Sequence, residues 1–492
     1  MVFKKVLKFG VISLTYFMLS IIGGGNLVGF AQAEANFDNN LVGIWQGKLE
    51  VSGISLRIIF NIAKDAEGKL TATMDSPDQR AKDIPVEEVT FKDGFLHLEV
   101  KTAGGFFEGK VKENFLSIEG ELNQAGQSFP LVLERVEEIA KVNPPQEPKK
   151  PYPYKEEEVT YKNKDAGITL AGTLTFPFEK GPFPAVLLIT GSGAQDRNET
   201  VLNHKPFLVL ADYLTRLGIV VLRVDDRGVG GSTGDFLQAT SEDFAGDVLT
   251  GIEYLKSRKE IDPRQIGLIG HSEGAIIAPM VAAQSPDVAF IVMMGGMGIT
   301  GEEILYLQSA LILKVNGVSD ELITKSRALQ ESIYKVLKKE KDDAVAAEEL
   351  HEIIENAKLQ LSEEEREKIL FGAFIEPPIK LIPWYRYFLT NDPKTALMKV
   401  KCPVLAINGE KDLQALPKES LQSIEEALIA GGNKDYTVKE LPNLNHLFQT
   451  AQTGALSEYS QIEETIAPEA LDLVGKWILD RTGQMSYLLK KE

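Results

Sequence analysis

The sequence feature that most constrains the fold is one short segment, IGLIGHSEGA at 266–275. An apolar run typical of a buried strand leads into the pattern G-x-S-x-G, and small residues typical of a helix follow. Gly270 and Gly274 leave room on both sides of Ser272, so the chain can turn sharply from strand to helix. Such a turn exposes the Ser272 hydroxyl at the end of the strand. The segment therefore predicts a nucleophilic serine in an α/β domain.

Similar apolar runs recur on both sides of this segment and alternate with amphipathic helical stretches. Near-continuous apolar strands that alternate with helices indicate a mainly parallel sheet with both faces covered. Residues from about 300 to 390 contain no convincing strand and carry Lys and Glu at helical spacing, so they predict a helical cap inserted over one end of the sheet. The predicted strands lie at 185–190, 219–224, 266–269, 290–294, 404–407 and 436–441.

The first 33 residues have the pattern of a signal peptide. Three lysines precede an apolar run at 9–22, and the small residues Ala31 and Ala33 stand where a signal peptidase reads. The alternative is an N-terminal membrane anchor that is retained. We expect cleavage near Ala33, export from the cytoplasm, and no stable membrane insertion afterwards.

Two further segments precede the α/β domain. Residues 37–138 contain short alternating runs separated by turns, which predict a small antiparallel, lipocalin-like β-barrel domain. We expect its interior to be filled by side chains, with a ligand cavity as the alternative. Residues 139–154 carry five prolines among charged residues and predict an extended linker. The α/β domain then occupies 155–483.

The composition limits the possible partners. The chain has 71 acidic and 53 basic residues and a net charge of -18, which argues against nucleic acid as a partner. The single cysteine, Cys402, cannot form an internal disulfide, and its apolar surroundings in the sequence favour burial over catalysis. No cluster of Cys or His has metal-ligand spacing, so we expect no metal and no cofactor. The oligomeric state stays open.

A serine hydroxyl needs a general base, and the chain offers five histidines. His97 lies in the predicted barrel, His351 in the helical insertion, and His204 before the first helix. His271 is next to the serine, and the turn is expected to point it away. His446 follows the last predicted strand, where this architecture places its base.

The remaining site residues are predicted from their loops. Asp412, after the strand at 404–407, is the predicted acid that orients the imidazole, and Glu410 is the alternative. The amide of Glu273 lies at a helix N-terminus and can face a developing oxyanion. Ser192 is the predicted second oxyanion donor, with Ala194 as the alternative.

Two polar loops are expected beside this site. Asp196 and Arg197 are predicted to pair with each other. The glycine-rich loop DDRGVGGSTG at 225–234 has Thr233 where a dinucleotide-binding fingerprint needs glycine. It is predicted to be a tight loop in which Arg227 braces one of the two preceding aspartates.

The segments GSGAQDR, DDRGVGGSTG and GHSEG resemble those of a bacterial group of exported, esterase D-like enzymes in the α/β-hydrolase superfamily, with members in thermophiles. That group carries a small β domain with a GxWxG-type start, and this chain has GIWQG at 43–47. The resemblance covers almost all of the chain after residue 33. It implies carboxylesterase activity on short acyl esters, a small-molecule ester substrate, a triad of Ser272, Asp412 and His446, and no cofactor.

Alternative functions stay open because fold alone does not settle the substrate. An aminopeptidase or acyl-peptidase of the same fold is the second hypothesis, and a thioesterase or acyltransferase is the third. A non-catalytic protein whose β domain binds a ligand or partner is the fourth.

Overall fold

The computed structural model describes residues 40–51, 54–65, 67–76, 81–112, 114–124, 127–136, 144–363, 365–366, 368–369 and 383–484. The predicted signal peptide lies outside these residues. The chain divides into two compact units between Lys141 and Val142.

The first unit is an antiparallel sheet of nine strands in the order β4-β3-β2-β1-β9-β8-β7-β6-β5. The two edge strands, β4 and β5, are joined by Glu87 alone. The edges of the sheet are therefore consecutive in the chain, and the sheet curls into a nearly closed barrel. The strands are β1 (Gly43–Val51), β2 (Ile54–Lys64), β3 (Leu70–Ser76), β4 (Ala81–Val86), β5 (Glu88–Lys92), β6 (Phe95–Val100), β7 (Gly105–Val111), β8 (Ser117–Gln124) and β9 (Gln127–Val136).

Apolar side chains fill the interior of this barrel. Trp45, Phe60 and Phe107 are fully buried, and the rings of Phe60 and Phe107 lie 5.8 Å apart. Trp45 Nε1 donates a hydrogen bond of 2.7 Å to the carbonyl of Leu41, so its polar atom is also satisfied. The alternation of buried and exposed residues along the strands, visible in the sequence, builds this core.

The second unit contains a sheet of eight strands in the order β10-β11-β13-β12-β14-β15-β16-β17. β10 and β11 form an antiparallel edge, and the remaining neighbours are parallel. The strands are β10 (Lys155–Asn163), β11 (Ile168–Phe176), β12 (Phe183–Ile189), β13 (Val220–Val224), β14 (Ile261–His271), β15 (Phe290–Met294), β16 (Val404–Gly409) and β17 (Tyr436–Leu441).

Helices cover both faces of this sheet and form the cap. They are α1 (Pro206–Arg216), α2 (Ser241–Lys256), α3 (Glu273–Ala282), α4 (Gly301–Val315), α5 (Asp320–Lys339), α6 (Asp343–Gln360), α7 (Pro383–Thr390), α8 (Lys394–Leu397), α9 (Pro417–Ala430), α10 (Leu456–Tyr459) and α11 (Pro468–Arg481). This mainly parallel sheet between helices, with a serine at the sharp β14–α3 turn, confirms the predicted α/β-hydrolase fold. The antiparallel strands β10 and β11 were not predicted.

Each face of the sheet has its own core. Along β12, Ala185, Leu187 and Ile189 pack on one face, while Val186 and Leu188 pack on the other. Both sets are buried, which is why this strand is a continuous apolar run in the sequence.

The described part of the cap contains α4 to α7, which lie between β15 and β16 in the chain. Thr300 begins α4 with a capping box that includes Glu303. A separate apolar cluster that contains Tyr306, Ile333 and Tyr385 holds these helices together. Three parts of the predicted insertion, residues 364, 367 and 370–382, lie outside the described residues.

The described part of the predicted linker, 144–154, has neither helix nor strand. Gln146 donates to the carbonyl of Ile466 over 2.6 Å and accepts from the amide of Thr465 over 2.6 Å. These hydrogen bonds fasten this stretch to the segment before α11 within the second unit. In the part of the chain that the structure describes, no helix is long and apolar enough to cross a membrane.

Candidate active site

Ser272 occupies the turn between β14 and α3 in a strained backbone conformation, with φ 54° and ψ -115°. A side chain at Gly270 would overlap the carbonyl of Gly274, and one at Gly274 would overlap the carbonyl of Ile189. The two glycines are therefore required by the close approach of backbone to backbone. The amide of Ser272 donates to the carbonyl of Met294 over 2.9 Å, which ties the turn to β15.

His446 and Asp412 form a buried pair at the same edge of the sheet. His446 Nδ1 lies 2.7 Å from Asp412 Oδ2, and both side chains are almost fully buried. Asp412 Oδ1 also accepts the amides of Gln414 and Ala415, each over 2.8 Å. Burial opposes ionisation of Asp412, but His446 and these two amides outweigh burial and lower its pKa. A carboxylate on Nδ1 leaves Nε2 as the nitrogen that can exchange a proton with substrate.

Glu410, the alternative acid, bonds the backbone of a loop and not the ring of His446. Its Oε2 accepts the amide of Asn443 over 2.9 Å, and the residue is exposed. Glu410 therefore holds one end of the loop that carries His446.

The imidazole of His446 has room because residue 295 is a glycine. A side chain at Gly295 would lie 3.1 Å from Cε1 of His446 and 3.2 Å from its Nδ1. Ser272 Oγ makes no hydrogen bond to any residue that the structure describes. Catalytic hydrogen bonds often tighten only when substrate binds.

Both predicted oxyanion donors belong to segments beside Ser272. Glu273 is the first residue of α3, and amides in a first helical turn lack intrahelical acceptors. The Ser192 loop follows β12, and a side chain at neighbouring Gly191 would approach Cβ of Ser272 to 3.2 Å. The Gly191 amide itself donates to Glu199 Oε1 over 2.7 Å, so it is already engaged. Ala194 lies further along the same loop and is exposed.

The side chain of Glu273 is buried under the cap. Its Oε1 accepts from Ser241 Oγ on α2 over 2.6 Å and from Trp384 Nε1 on α7 over 2.6 Å. Burial raises the pKa of Glu273, although both hydrogen bonds oppose that rise.

Asp226 is a half-buried carboxyl group in the loop after β13. It accepts from Thr190 Oγ1 over 2.7 Å and from the amide of Gln195 over 2.9 Å. Burial raises the pKa of Asp226 to about 8, and the charges of Glu273 and Glu199 add to the rise. A cavity of about 50 Å³ is lined in part by Gly191, Asp226 and Glu273.

Two ion pairs differ from the sequence-based expectation. Arg197 pairs with Asp225 over 2.7 Å, because Asp196 is turned into its own loop, where it accepts the amide of Asn198 over 2.8 Å. Arg227 pairs over 2.8 Å with Asp247 of α2, not with either preceding aspartate.

The sequence did not predict a role for Glu199, and the predicted direction of the His271 side chain was wrong. Glu199 is 3% exposed and lies 2.9 Å from His271 Nδ1. The ring of His271 does not point away from the site, since it lies 4.9 Å from the ring of His446. The sequence signal that pointed to His271 was the small number of histidines in the chain. No local sequence pattern pointed to Glu199.

Metal and thiol chemistry find no support in the described residues. No group of His, Cys, Asp and Glu among them could hold a metal ion. Burial raises the pKa of the Cys402 thiol to about 12, so this cysteine stays protonated at neutral pH.

Comparison with known proteins gives one family and several relatives. Residues 166–429, more than half of the chain, match the family described as X-Pro dipeptidyl-peptidase (S15 family). Esterase EstD of Thermotoga maritima is 26% identical over 65% of this chain and 68% of its own length. The putative hydrolase YtaP of Bacillus subtilis is 34% identical over 21% of this chain and 40% of its own length. Among solved structures, the Pyrococcus furiosus esterase Pf2001 matches with a TM-score of 0.39 and 17% identity, over 67% of this chain and 93% of that one.

Proposed function

Because this chain belongs to the X-Pro dipeptidyl-peptidase (S15) family, we propose that it is a serine hydrolase that cleaves carboxylic esters through an acyl-enzyme at Ser272. The observation that carries the proposal is the buried His446–Asp412 pair, 2.7 Å long, at the edge of the sheet where the strained turn presents Ser272. The ester class is supported by the similarity to esterase EstD along about two thirds of the chain.

The reaction follows from these positions. Ser272 Oγ attacks the ester carbonyl while His446 Nε2 takes its proton, and Asp412 stabilises the imidazolium that forms. The amides of Glu273 and Ser192 donate to the oxyanion of the tetrahedral intermediate. His446 then protonates the leaving alcohol, and water, activated by the same imidazole, releases the acid.

We further propose that the acyl group is short. Trp384 of the cap contacts Glu273, the residue next to Ser272. The cap is therefore tied to the residue next to the nucleophile, which supports a confined acyl site.

A peptidase that releases dipeptides is the second candidate, because the family description names that activity. A peptide substrate with a free amino terminus needs an anionic partner. Asp226 and Glu273 line one cavity, but burial raises the pKa of both carboxyl groups, so they are poorer anionic partners than ordinary carboxylates.

Turnover of two substrate types separates these candidates. We expect the wild-type enzyme to hydrolyse p-nitrophenyl acetate and butyrate faster than Gly-Pro-p-nitroanilide, and the Ser272→Ala variant to hydrolyse neither while keeping its circular dichroism spectrum. Faster cleavage of the anilide would favour the peptidase. Full ester turnover by the folded Ser272→Ala variant would exclude Ser272 as the nucleophile.

We also propose that the chain is exported. The lysines, apolar run and small residues of 1–33 support this proposal. N-terminal sequencing of protein recovered outside the cytoplasm should begin directly after Ala33, whereas recovery of uncleaved protein in the membrane fraction would favour a retained anchor.

A further inference from the structure

A second imidazole–carboxylate pair lies beside the proposed triad. His271 Nδ1 is 2.9 Å from Glu199 Oε1, and His271 Nε2 is 2.9 Å from the backbone carbonyl of His446. A carboxylate and a carbonyl are both acceptors, so each ring nitrogen needs a proton to make its hydrogen bond. The geometry therefore fits the charged imidazolium form of His271.

The surroundings of His271 favour the same form. Burial opposes a charged imidazole, but the charge and hydrogen bond of Glu199 and the carbonyl of His446 outweigh burial and raise the pKa of His271. Among the described residues, the titratable groups that face His271 are Glu199 after β12, Asp412 after β16 and His446 after β17.

Glu199 connects this imidazole to the loop of the proposed oxyanion donor. Its Oε1 also accepts the amide of Gly191 over 2.7 Å, the residue before Ser192. Glu199 is buried and has a left-handed φ of 51°, a conformation that costs a non-glycine residue free energy. The surrounding contacts thus hold this carboxylate in one place.

Three segments of the active site meet at this ion pair. His271 directly precedes Ser272, Glu199 Oε1 fixes the loop of Ser192, and the His446 carbonyl fixes the loop of the general base. His271 cannot itself act as the base, because both of its ring nitrogens are engaged.

We propose that Glu199 and His271 are positioning residues: their ion pair aligns the loop of the oxyanion donor and the loop of His446 with Ser272. The inference rests on the proposed function, since it concerns the residues that serve the same nucleophile. A displacement of about 1 Å in such groups can cost roughly 100-fold in rate, so the pair acts on kcat and leaves substrate binding nearly intact.

The first test is spectroscopic and uses the wild-type chain. With ¹⁵N-labelled histidine, long-range ¹H–¹⁵N spectra distinguish the imidazolium from the neutral ring, and the chain has five histidines to assign. We expect His271 to be an imidazolium at pH 7.5 in the wild-type protein and neutral in the Glu199→Gln variant. A neutral His271 in the wild-type protein at that pH would overturn the proposal.

The second test is kinetic, with p-nitrophenyl butyrate as substrate. Glu199→Gln and His271→Gln should lower kcat by roughly 10- to 100-fold and change KM by less than about twofold. His204→Gln is the matched control, because His204 is fully buried and its Nδ1 lies 2.9 Å from Thr465 Oγ1, with no hydrogen bond or ring contact to Ser272 or His446 in the described part of the chain. It should lower thermal stability without lowering kcat.

The outcomes separate this inference from the proposed function. If a folded Glu199→Gln variant keeps the wild-type kcat while turnover still depends on Ser272, the positioning role is refuted and the proposed function stands. Absence of ester turnover in the wild-type chain would refute the proposed function, and the histidine spectra would still decide the protonation state of His271.

Discussion

At the scale of single residues, Asp412 and Glu410 lie in one loop but serve different partners. Asp412 Oδ2 bonds the ring of His446 over 2.7 Å, whereas Glu410 Oε2 accepts the backbone amide of Asn443 in the neighbouring loop. Sequence position favoured Asp412 without excluding Glu410, because both carboxylates follow β16 closely. The difference lies in the direction of each side chain.

Asp412→Asn should therefore lower kcat by about 10³- to 10⁴-fold, because an amide cannot stabilise the imidazolium and favours the wrong tautomer. Glu410→Gln is the matched control, and we expect its kcat to stay within about threefold of the wild-type value. Steady-state hydrolysis of p-nitrophenyl butyrate measures both. Equal losses in the two variants would contradict the assignment of the acid.

Asp226 and Asp412 should change the free energy of unfolding with pH in opposite directions, because the fold raises the pKa of Asp226 and lowers that of Asp412. Its folded pKa of about 8 lies above the ordinary 3.8, so the unfolded chain releases this proton at a lower pH than the folded one. The free energy of unfolding must then fall as pH rises from about 4 to 8 through this group. Asp226→Asn mimics the protonated acid. Relative to wild type, the variant should gain free energy of unfolding at pH 9, and this gain should be larger than at pH 5. Urea denaturation at the two pH values tests this, and a difference that does not grow with pH would refute it.

At the scale of elements, a hydrogen bond joins the cap to the nucleophile helix. Trp384 on α7 donates to the buried carboxyl group of Glu273 on α3, and the other donor to that group comes from α2. Loss of a donor to a buried polar group costs about 1–3 kcal/mol.

Trp384→Phe should lower the free energy of unfolding of the second unit by about 1–3 kcal/mol more than the same change at Trp477. Trp477→Phe is the control for the change of ring, because Trp477 Nε1 has no hydrogen-bond partner among the described residues; Trp477 is buried, whereas Trp384 is half-buried. Urea unfolding of both variants measures the difference. Equal destabilisation would show that the hydrogen bond to Glu273 contributes nothing.

The elements also show what the sequence can and cannot predict. β12 is apolar at every position because both faces are covered, and such a run is recognisable. β10, with the sequence KEEEVTYKN, lies at the sheet edge and alternates charged and buried residues over only part of its length, so it was missed. The partners of Arg197 and Glu199 come from distant segments, Asp225 and His271, and no local pattern encodes them.

At the scale of the whole molecule, the two units have separate hydrophobic cores. The barrel core includes Phe107, and one core of the α/β sheet includes Phe290. Both side chains are buried to 2% exposure or less. Separate cores should unfold as separate cooperative units.

Calorimetry of the full chain should therefore show two transitions. Phe107→Ala, which removes about 3–5 kcal/mol of core stability, should lower one transition only, and Phe290→Ala should lower the other. A single transition that both substitutions shift equally would contradict the division of the chain into two cooperative units.

The central claim is that Ser272 is the nucleophile, served by His446. Mapping a fluorophosphonate adduct by peptide mass spectrometry tests it most directly, because the reagent bonds covalently to an activated serine. We predict one modified residue, Ser272, and labelling that falls by more than about 100-fold in a folded His446→Gln variant. An adduct on another serine, or labelling of Ser272 at the wild-type rate without His446, would contradict the claim.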